Sequence, residues 1–388
     1  MEFPEFGYVP DETSWESLAS LLKSSQPFFE NTLFLQGYEF SSNIYLVKGD
    51  YLSIIDPGND YTAFMDLFAL GFKPPDVKKI VVTHGHQDHA GGAIEIFRAY
   101  RGHKDIDLEV ILHEAGPEQL KAILREQGCR LTEAKGGEIL DLSGFEVEVI
   151  HTPGHTIDGI SLYHAPSRTV FTGDTVLPHA MAEPDQAVGG RLDHYLYSIR
   201  TLLKRDIENV MPGHGGLVVG IGRLVIQDTY EGLIKKLVGA ETPWMEGANT
   251  LAQKGLLEEA LFYSNKALAE DQENMQAVEF KAFLLNDLGR SAEASEFFDR
   301  LLARAGENLY RLLGKATALM GLGKYEESLD YFDRALQLDP QSKEALIHKG
   351  MALYLAGKPE EAMDIEVFKN EFTGRFKEEL IKGSSPSP

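Results

Sequence analysis

Glycine recurs every 34 residues in the C-terminal part of this chain, at Gly255, Gly289, Gly323 and Gly357. Small residues keep the same step around it: Ala248, Ala282, Ala316 and Gly350 precede each glycine, and Ala260, Ala294, Ser328 and Ala362 follow it. Leu251, Leu285, Leu319 and Leu353 hold it too. Such a period means that one small unit, unable to bury its apolar face alone, is stacked on copies of itself. Apolar residues within each unit have helical spacing. Each unit therefore reads as two helices, with glycine at the turn and small residues where the helices touch. The change of character comes near Gly239-Ala240-Glu241-Thr242-Pro243; before it strand-like alternation prevails, and 388 residues are enough for two cores. The expected organisation is an N-terminal extension with a short helix over residues 1–30, a strand-rich domain over 31–238, repeats over 241–377 and a tail over 378–388.

Thirty-four residues is the period of the tetratricopeptide repeat, which residues 241–374 resemble, with Pro340 closing the third unit. Three repeats are full. The fourth degenerates after Met363, where Asp364-Ile365-Glu366-Val367-Phe368 loses the pattern and acts as a solvating cap. The resemblance implies an all-α solenoid with a concave groove for a protein partner or for self-association. An array that only packs on the rest of the chain is the plainer reading. Side chains of mixed sign along it name no ligand class.

Upstream, Thr83-His84-Gly85-His86-Gln87-Asp88-His89 gathers three imidazoles and a carboxylate, the ligands that zinc and iron prefer. Val77–Val82 reads as a buried strand before it and Ala90–Phe97 as a helix start after it, which places these side chains on a strand-to-helix loop. There His84 and His86 can face one ion, and Asp88 and His89, after the chain turns, a second. Three more strands end in candidate ligands: Phe145–Ile150 before His155, Arg168–Thr172 before Asp174, and Asn209–Met211 before His214. Taken singly, His155 or His214 would be an ordinary hydrogen-bonding residue and Asp174 a turn residue. Together they fit a two-metal centre, in which a shared water is made acidic and delivered as hydroxide to an electrophilic carbon or phosphorus. Asp174, with two oxygens, suits a bridging position, and Asp88 suits proton relay.

These pieces, with the hairpin Asn43–Val47 and Tyr51–Gly58, resemble the metallo-β-lactamase superfamily over residues 32 to 220, in its glyoxalase II-like branch. The resemblance implies an α/β four-layer αββα sandwich. It further implies that His84, His86 and His155 hold the first metal and Asp88, His89 and His214 the second, with Asp174 bridging and Asp56 supporting a histidine from behind. Two divalent ions follow, zinc first and iron or manganese as options. The expected reaction is hydrolysis of a small ester, thioester or related acyl compound. Two alternatives stay open: a persulfide dioxygenase-like protein with one iron on His84, His155 and Asp174, and an adaptor whose repeats work while the sandwich is vestigial.

Substrate contacts are sought between Asp174 and His214, where His179, Arg191, Tyr195 and Tyr197 are candidates. Against them, Tyr195 has the helical spacing of a packing residue and Arg191 stands two residues from Asp193. His151 is a candidate support beside the site; His103, His113, His164, His194 and His348 read as surface or core. A glutathione thioester substrate and several other branches are disfavoured. Glyoxalase II-type thioesterases carry a tyrosine soon after the last histidine, where this chain has Gly215-Gly216-Leu217-Val218, and the lactonase branch has a tyrosine where this chain has Leu177. Nuclease and flavo-diiron relatives carry motifs or domains that are not visible.

A net charge of −23, with no Lys/Arg cluster, disfavours nucleic acid and leaves a small-molecule substrate. Met1-Glu2-Phe3-Pro4-Glu5-Phe6 does not read as a signal peptide, and no apolar run is long enough for a membrane span. A single cysteine, Cys129, fits a reducing cytoplasm. Asp11–Leu18 reads as a capped helix and Gly383–Pro388 as a disordered tail.

Overall fold

The computed structural model describes residues 15–38, 40–59, 67, 71–100 and 107–383, and the chain divides into two units, Met1–Lys236 and Leu237–Pro388. Expectations for Met1–Phe6, Asp11–Ser14, His103 and Ser384–Pro388 lie outside the described residues.

Alternation along the strands builds the first unit. On β3 (Ile44–Lys48), Tyr45 and Val47 join one core cluster while Ile44 and Leu46 join another, so both faces of the sheet are apolar and both need cover. The first sheet runs in chain order through β1 (Glu16–Ser17), β2 (Thr32–Leu35), β3, β4 (Leu52–Ile55), β5 (Val77–Val81), β6 (Glu109–His113) and β7 (Arg130–Ala134). It is antiparallel as far as β4 and parallel from there. The second has the order β12-β11-β10-β9-β8, from β8 (Ile139–Leu142), β9 (Phe145–His151), β10 (Ile160–His164), β11 (Thr169–Gly173) and β12 (Asn209–Pro212). Tyr45, Val47, Ile55, Val81 and Ile111 of the first sheet meet Val147, Val149, Leu162, Phe171 and Met211 of the second. Outside the first sheet, Ala90, Ala93 and Ile96 of helix Gln87–Tyr100 and Leu124 of helix Glu118–Glu126 cover Leu46, Ile54, Ile80 and Val110. Helices Leu192–Leu203 and Gly222–Val238 bury Leu196, Ile199, Leu202, Ile226 and Leu233; the last residues of the second helix, from Leu237, belong to the second unit. The first unit is a four-layer αββα sandwich.

Two local expectations are corrected. Helix Gln87–Tyr100 begins three residues earlier than the sequence indicates, because His86 O accepts the N–H groups of His89 (3.1 Å) and Ala90 (2.9 Å). Asp88 and His89 thus stand on the first helical turn, where the helix dipole favours a carboxylate. Residues 16–30, read as part of an extension, belong to the core: β1 pairs with β2, the helix spans Leu18–Leu22 with Ser17 before it, and Leu18, Phe28 and Phe29 are buried between the sheets.

Phe28 stacks on His164 at 3.9 Å between ring centroids, and burial pushes the His164 imidazole down to about 4. The unfolded chain takes up this proton near pH 6.5 or about there. The stabilisation from a neutral His164 is therefore complete above the unfolded value and is lost as pH falls towards the folded one. His164→Phe is expected to flatten the loss of stability between about pH 7 and pH 4, measured as urea midpoints of both proteins; parallel profiles would refute the assignment.

In the second unit, helix Trp244–Gln253 pairs with Leu257–Glu270, Met275–Asp287 with Ser291–Ala305, Leu309–Gly321 with Tyr325–Leu338, and Lys343–Leu355 with Pro359–Asp364. The glycines at 255, 289, 323 and 357 have φ of 75, 70, 74 and 80°, a left-handed turn that other residues enter with strain. Ala248, Ala282, Ala316, Ala260, Ala294, Ser328 and Ala362 are all 0 % exposed, as close helix approach requires. The unit is an all-α solenoid. Its fourth pair is cut short where Ile365 turns extended, and the chain resumes as helix Glu366–Gly383 with Phe368 buried. Residues 378–383, assigned to the tail from the sequence, belong to that helix. Among the described residues no helix is long and apolar enough to cross a membrane.

Candidate metal centre

Strand ends from both sheets meet at one rim. β5 leads through Thr83 into His84, His86, Asp88 and His89, while β9, β11 and β12 lead into His155, Asp174 and His214. His84 Nε2 and His155 Nε2 lie 3.0 and 3.1 Å from His86 Nδ1. Next to them, His214 Nε2 lies 3.0 Å from Asp88 Oδ2 and 3.2 Å from His89 Nε2. Asp174 stands between the groups, with Oδ1 at 3.3 Å from His89 Nε2 and 3.7 Å from His214 Nε2, and Oδ2 at 3.7 Å from His155 Nε2. Three overlapping donor groups result: His84/His86/His155, Asp88/His89/His214 and His84/His89/Asp174.

The donors are held from behind. Buried Asp56 accepts the N–H and the hydroxyl of Thr83, both at 2.7 Å, and the Nδ1–H of His89 at 2.8 Å. Asp158, also buried, accepts the Gly85 N–H at 2.9 Å, between the first two histidines. Tyr45 Oη and Asn43 Nδ2 donate to Pro212 O at 2.8 and 3.0 Å, which fixes the end of β12 before His214. At Gly213 a Cβ would sit 2.4 Å from Asp174 Oδ1 and 2.6 Å from His89 Cε1, so this approach admits only glycine.

Burial, followed by the neighbouring imidazoles, pushes His84 well below the ordinary histidine value, which keeps its lone pair free. Burial opposes charge on His89, but Asp56 and Asp174 overcome it and hold the imidazole up at about 10. For Asp88, burial works upward, yet the His214 hydrogen bond and the charge of His89 bring the carboxyl down to about 2. Asp174 Oδ1 is buried with no hydrogen-bond partner. Leaving such an oxygen unmatched costs roughly 1–3 kcal/mol, a cost that a cation removes. Five imidazoles and the Asp88 carboxylate, gathered with this oxygen, suit divalent cations.

The substrate candidates are placed differently. Tyr195 is 1 % exposed and donates to Asp174 O (3.0 Å) and Thr175 O (2.9 Å), so it packs and anchors a strand end rather than facing a ligand. Tyr197, 55 % exposed, stands two helical positions on and faces away from Tyr195. Arg191 forms its pair with Asp193, at 3.0 and 2.8 Å, and exposed His179 lies outside the donor groups. His151 Nε2–H donates to Ile157 O at 2.9 Å, and the ring stacks on His113. The sequence reading missed Asp158, Glu183 and Asp185. Glu183 O accepts the Nδ1–H of His155 at 2.7 Å, and Asp185 Oδ2 lies 3.2 Å from His86 Nε2.

Residues 37–214 match the family model described as the metallo-beta-lactamase superfamily. A probable metallo-hydrolase of Methanocaldococcus jannaschii is 30 % identical over 194 residues, covering 47 % of this chain and 91 % of that protein. The chain belongs to the metallo-beta-lactamase superfamily. The metallo-beta-lactamase unit is also 28 % identical over 194 residues to the hydroxyacylglutathione hydrolase GloC of Haemophilus influenzae, covering 45 % of this chain and 86 % of that one. An atrochrysone carboxyl ACP thioesterase of Aspergillus aculeatus is 27 % identical over 180 residues, which are 46 % of this chain. The alignment spans about half, 51 %, of that fungal relative's length. Residues 313–366 match the tetratricopeptide repeat, within the solenoid appended to the metallo-beta-lactamase unit.

Proposed function

We propose that this protein is a metal-dependent hydrolase of small thioesters or related acyl compounds, and that its repeat unit docks a protein partner or a second copy of the chain. The observation that carries the reading is Asp174, a carboxylate only 11 % exposed with one oxygen towards each histidine group. His84, His86 and His155 would hold one ion and Asp88, His89 and His214 the other, with Asp174 shared and zinc favoured by the imidazole-rich set. When bound, such a pair supplies Lewis acidity and brings the pKa of a water to about 7. Asp88, a third exposed and ionised at neutral pH, is placed to take the proton of the attacking water and pass it to the leaving thiolate. Attack at the acyl carbon breaks the C–S bond and yields a carboxylate and a thiol.

The names of the Aspergillus and Haemophilus relatives both denote cleavage of thioester bonds, which supports this substrate class. Exposed Tyr310, Met351 and Tyr354 on the first helices of the third and fourth pairs support the docking role. A one-iron dioxygenase would leave the Asp88/His89/His214 group unused, and a vestigial site would have no need of it. The test is metal analysis with a panel of acyl thioesters, lactones and phosphodiesters. Expected are about two equivalents of metal and thioester turnover that falls roughly 10²–10⁴-fold in Asp88→Ala. One equivalent of iron, or turnover indifferent to Asp88→Ala, would overturn the reading.

A further inference from the structure

The segment from Glu183 to Arg191 is stitched to the loop that carries His155. Asp185 N–H donates to His155 O (2.7 Å), Ile157 N–H to Val188 O (3.1 Å) and Arg191 N–H to Gly154 O (2.9 Å). The same segment meets the outward nitrogens of two imidazoles, His155 through Glu183 O and His86 through Asp185 Oδ2. For His86 this contact decides which ring nitrogen is free. A neutral imidazole carries its proton on one nitrogen, and only protonation at Nε2 leaves Nδ1 able to bind a cation. Nδ1 is the atom of His86 that meets His84 Nε2 and His155 Nε2, at 3.0 and 3.1 Å.

We propose that Asp185 is the positioning residue of the first metal position: its carboxylate accepts the Nε2–H of His86, fixing the tautomer and ring orientation in which Nδ1 faces the cation. The inference rests on the metal reading above. Asp185 divides its two oxygens between separate tasks. Oδ1 accepts Ala187 N–H at 2.9 Å in the short turn Gln186–Val188, which leaves Oδ2 for the imidazole. The cations nearest in this stretch are engaged elsewhere, Lys236 with Glu183 and Arg191 with Asp193. A carboxylate behind a ligating histidine also makes the imidazole a stronger donor.

The test uses the full chain stripped of metal, titrated with zinc, beside Asp185→Asn, Asp185→Ala and Asp185→Glu. Asparagine keeps the size and the acceptor for Ala187 but can turn an amide N–H towards His86, which favours the opposite tautomer. The wild type is expected to bind about two equivalents; Asp185→Asn should lose roughly 10–100-fold in affinity at one position only. Asp185→Ala should fall between the two and Asp185→Glu recover part of the loss. Urea midpoints of metal-free wild type and Asp185→Asn should coincide, since asparagine keeps the Ala187 acceptor and backbone bonds hold the loop. Long-range ¹H–¹⁵N spectra should show the His86 proton moving from Nε2 to Nδ1 in Asp185→Asn, a change that a merely structural role would not produce. Two equivalents bound equally tightly by wild type and Asp185→Asn, or an unchanged tautomer, overturns the proposal. A wild type that binds no zinc overturns the metal reading beneath it.

Discussion

Asp174→Ala is expected to lower the metal content from about two equivalents to one or fewer and thioester turnover by roughly 10²–10³-fold or more. Among the described residues this carboxylate is the one that faces both donor groups, and it is only 11 % exposed. Without it, His84 and His89, whose ring centroids are 4.1 Å apart, face each other with no anion between them on that side. Asp174 Oδ1 pairs only with His89 and, at longer range, His214, and Asp56 still holds the His89 imidazole from behind when it is removed. The chain should therefore stay folded by circular dichroism while metal analysis shows the loss. Asp174→Asn, which keeps the shape without the charge, separates charge from volume. Full occupancy and full turnover in either variant would show that no carboxylate is shared.

Asp56→Ala carries the largest expected loss of stability. Its side chain is buried at 2 % exposure and serves three donors, the N–H and hydroxyl of Thr83 and the imidazole of His89. Removing one partner of a buried charged pair costs about 3–5 kcal/mol. In a unit of this size that corresponds to a fall of roughly 6–20 °C in Tm. The backbone adds to it, because Asp56 has φ of 50°, a conformation that Asp and Asn tolerate better than Ala. Asp56→Asn should recover much of the stability yet bind metal weakly, since an amide N–H can replace the acceptor that His89 requires. Calorimetry with metal analysis checks both variants. A midpoint within a degree or two of the wild type for Asp56→Ala would contradict this account.

The features that could be read in the sequence are those with a short-range signature. The helix pairs are legible because glycine at the turn and small residues at the contact repeat with one step, and the donors because each follows a segment with the pattern of a strand. The supporting residues have no such signature. Asp185 reaches His86 across 99 residues of chain and Asp158 reaches Gly85 across 73, while an isolated aspartate in Pro184-Asp185 or Ile157-Asp158 reads as a turn. Tyr195 shows the opposite difficulty. Helical spacing and a place near the rim are both true of it, and only its burial against the Asp174 strand end decides between packing and binding. The first turn of helix Gln87–Tyr100 was hidden because histidine and aspartate are weak helix formers, and the capping by His86 O is a backbone event. Phe28 and Phe29 have no local sign of burial, because their partners lie on strands far along the chain.

Each donor group draws two side chains from the loop and helix after β5, in the first sheet, and one from the end of a strand in the second. An ion seated in either group would tie the two halves of the sandwich together at that rim, over and above the apolar contacts between them. The chain has one cysteine, Cys129, buried and with its thiol pushed up to about 12, so it has no covalent bridge of its own to offer. Metal bound there would serve as a reversible cross-link between the sheets.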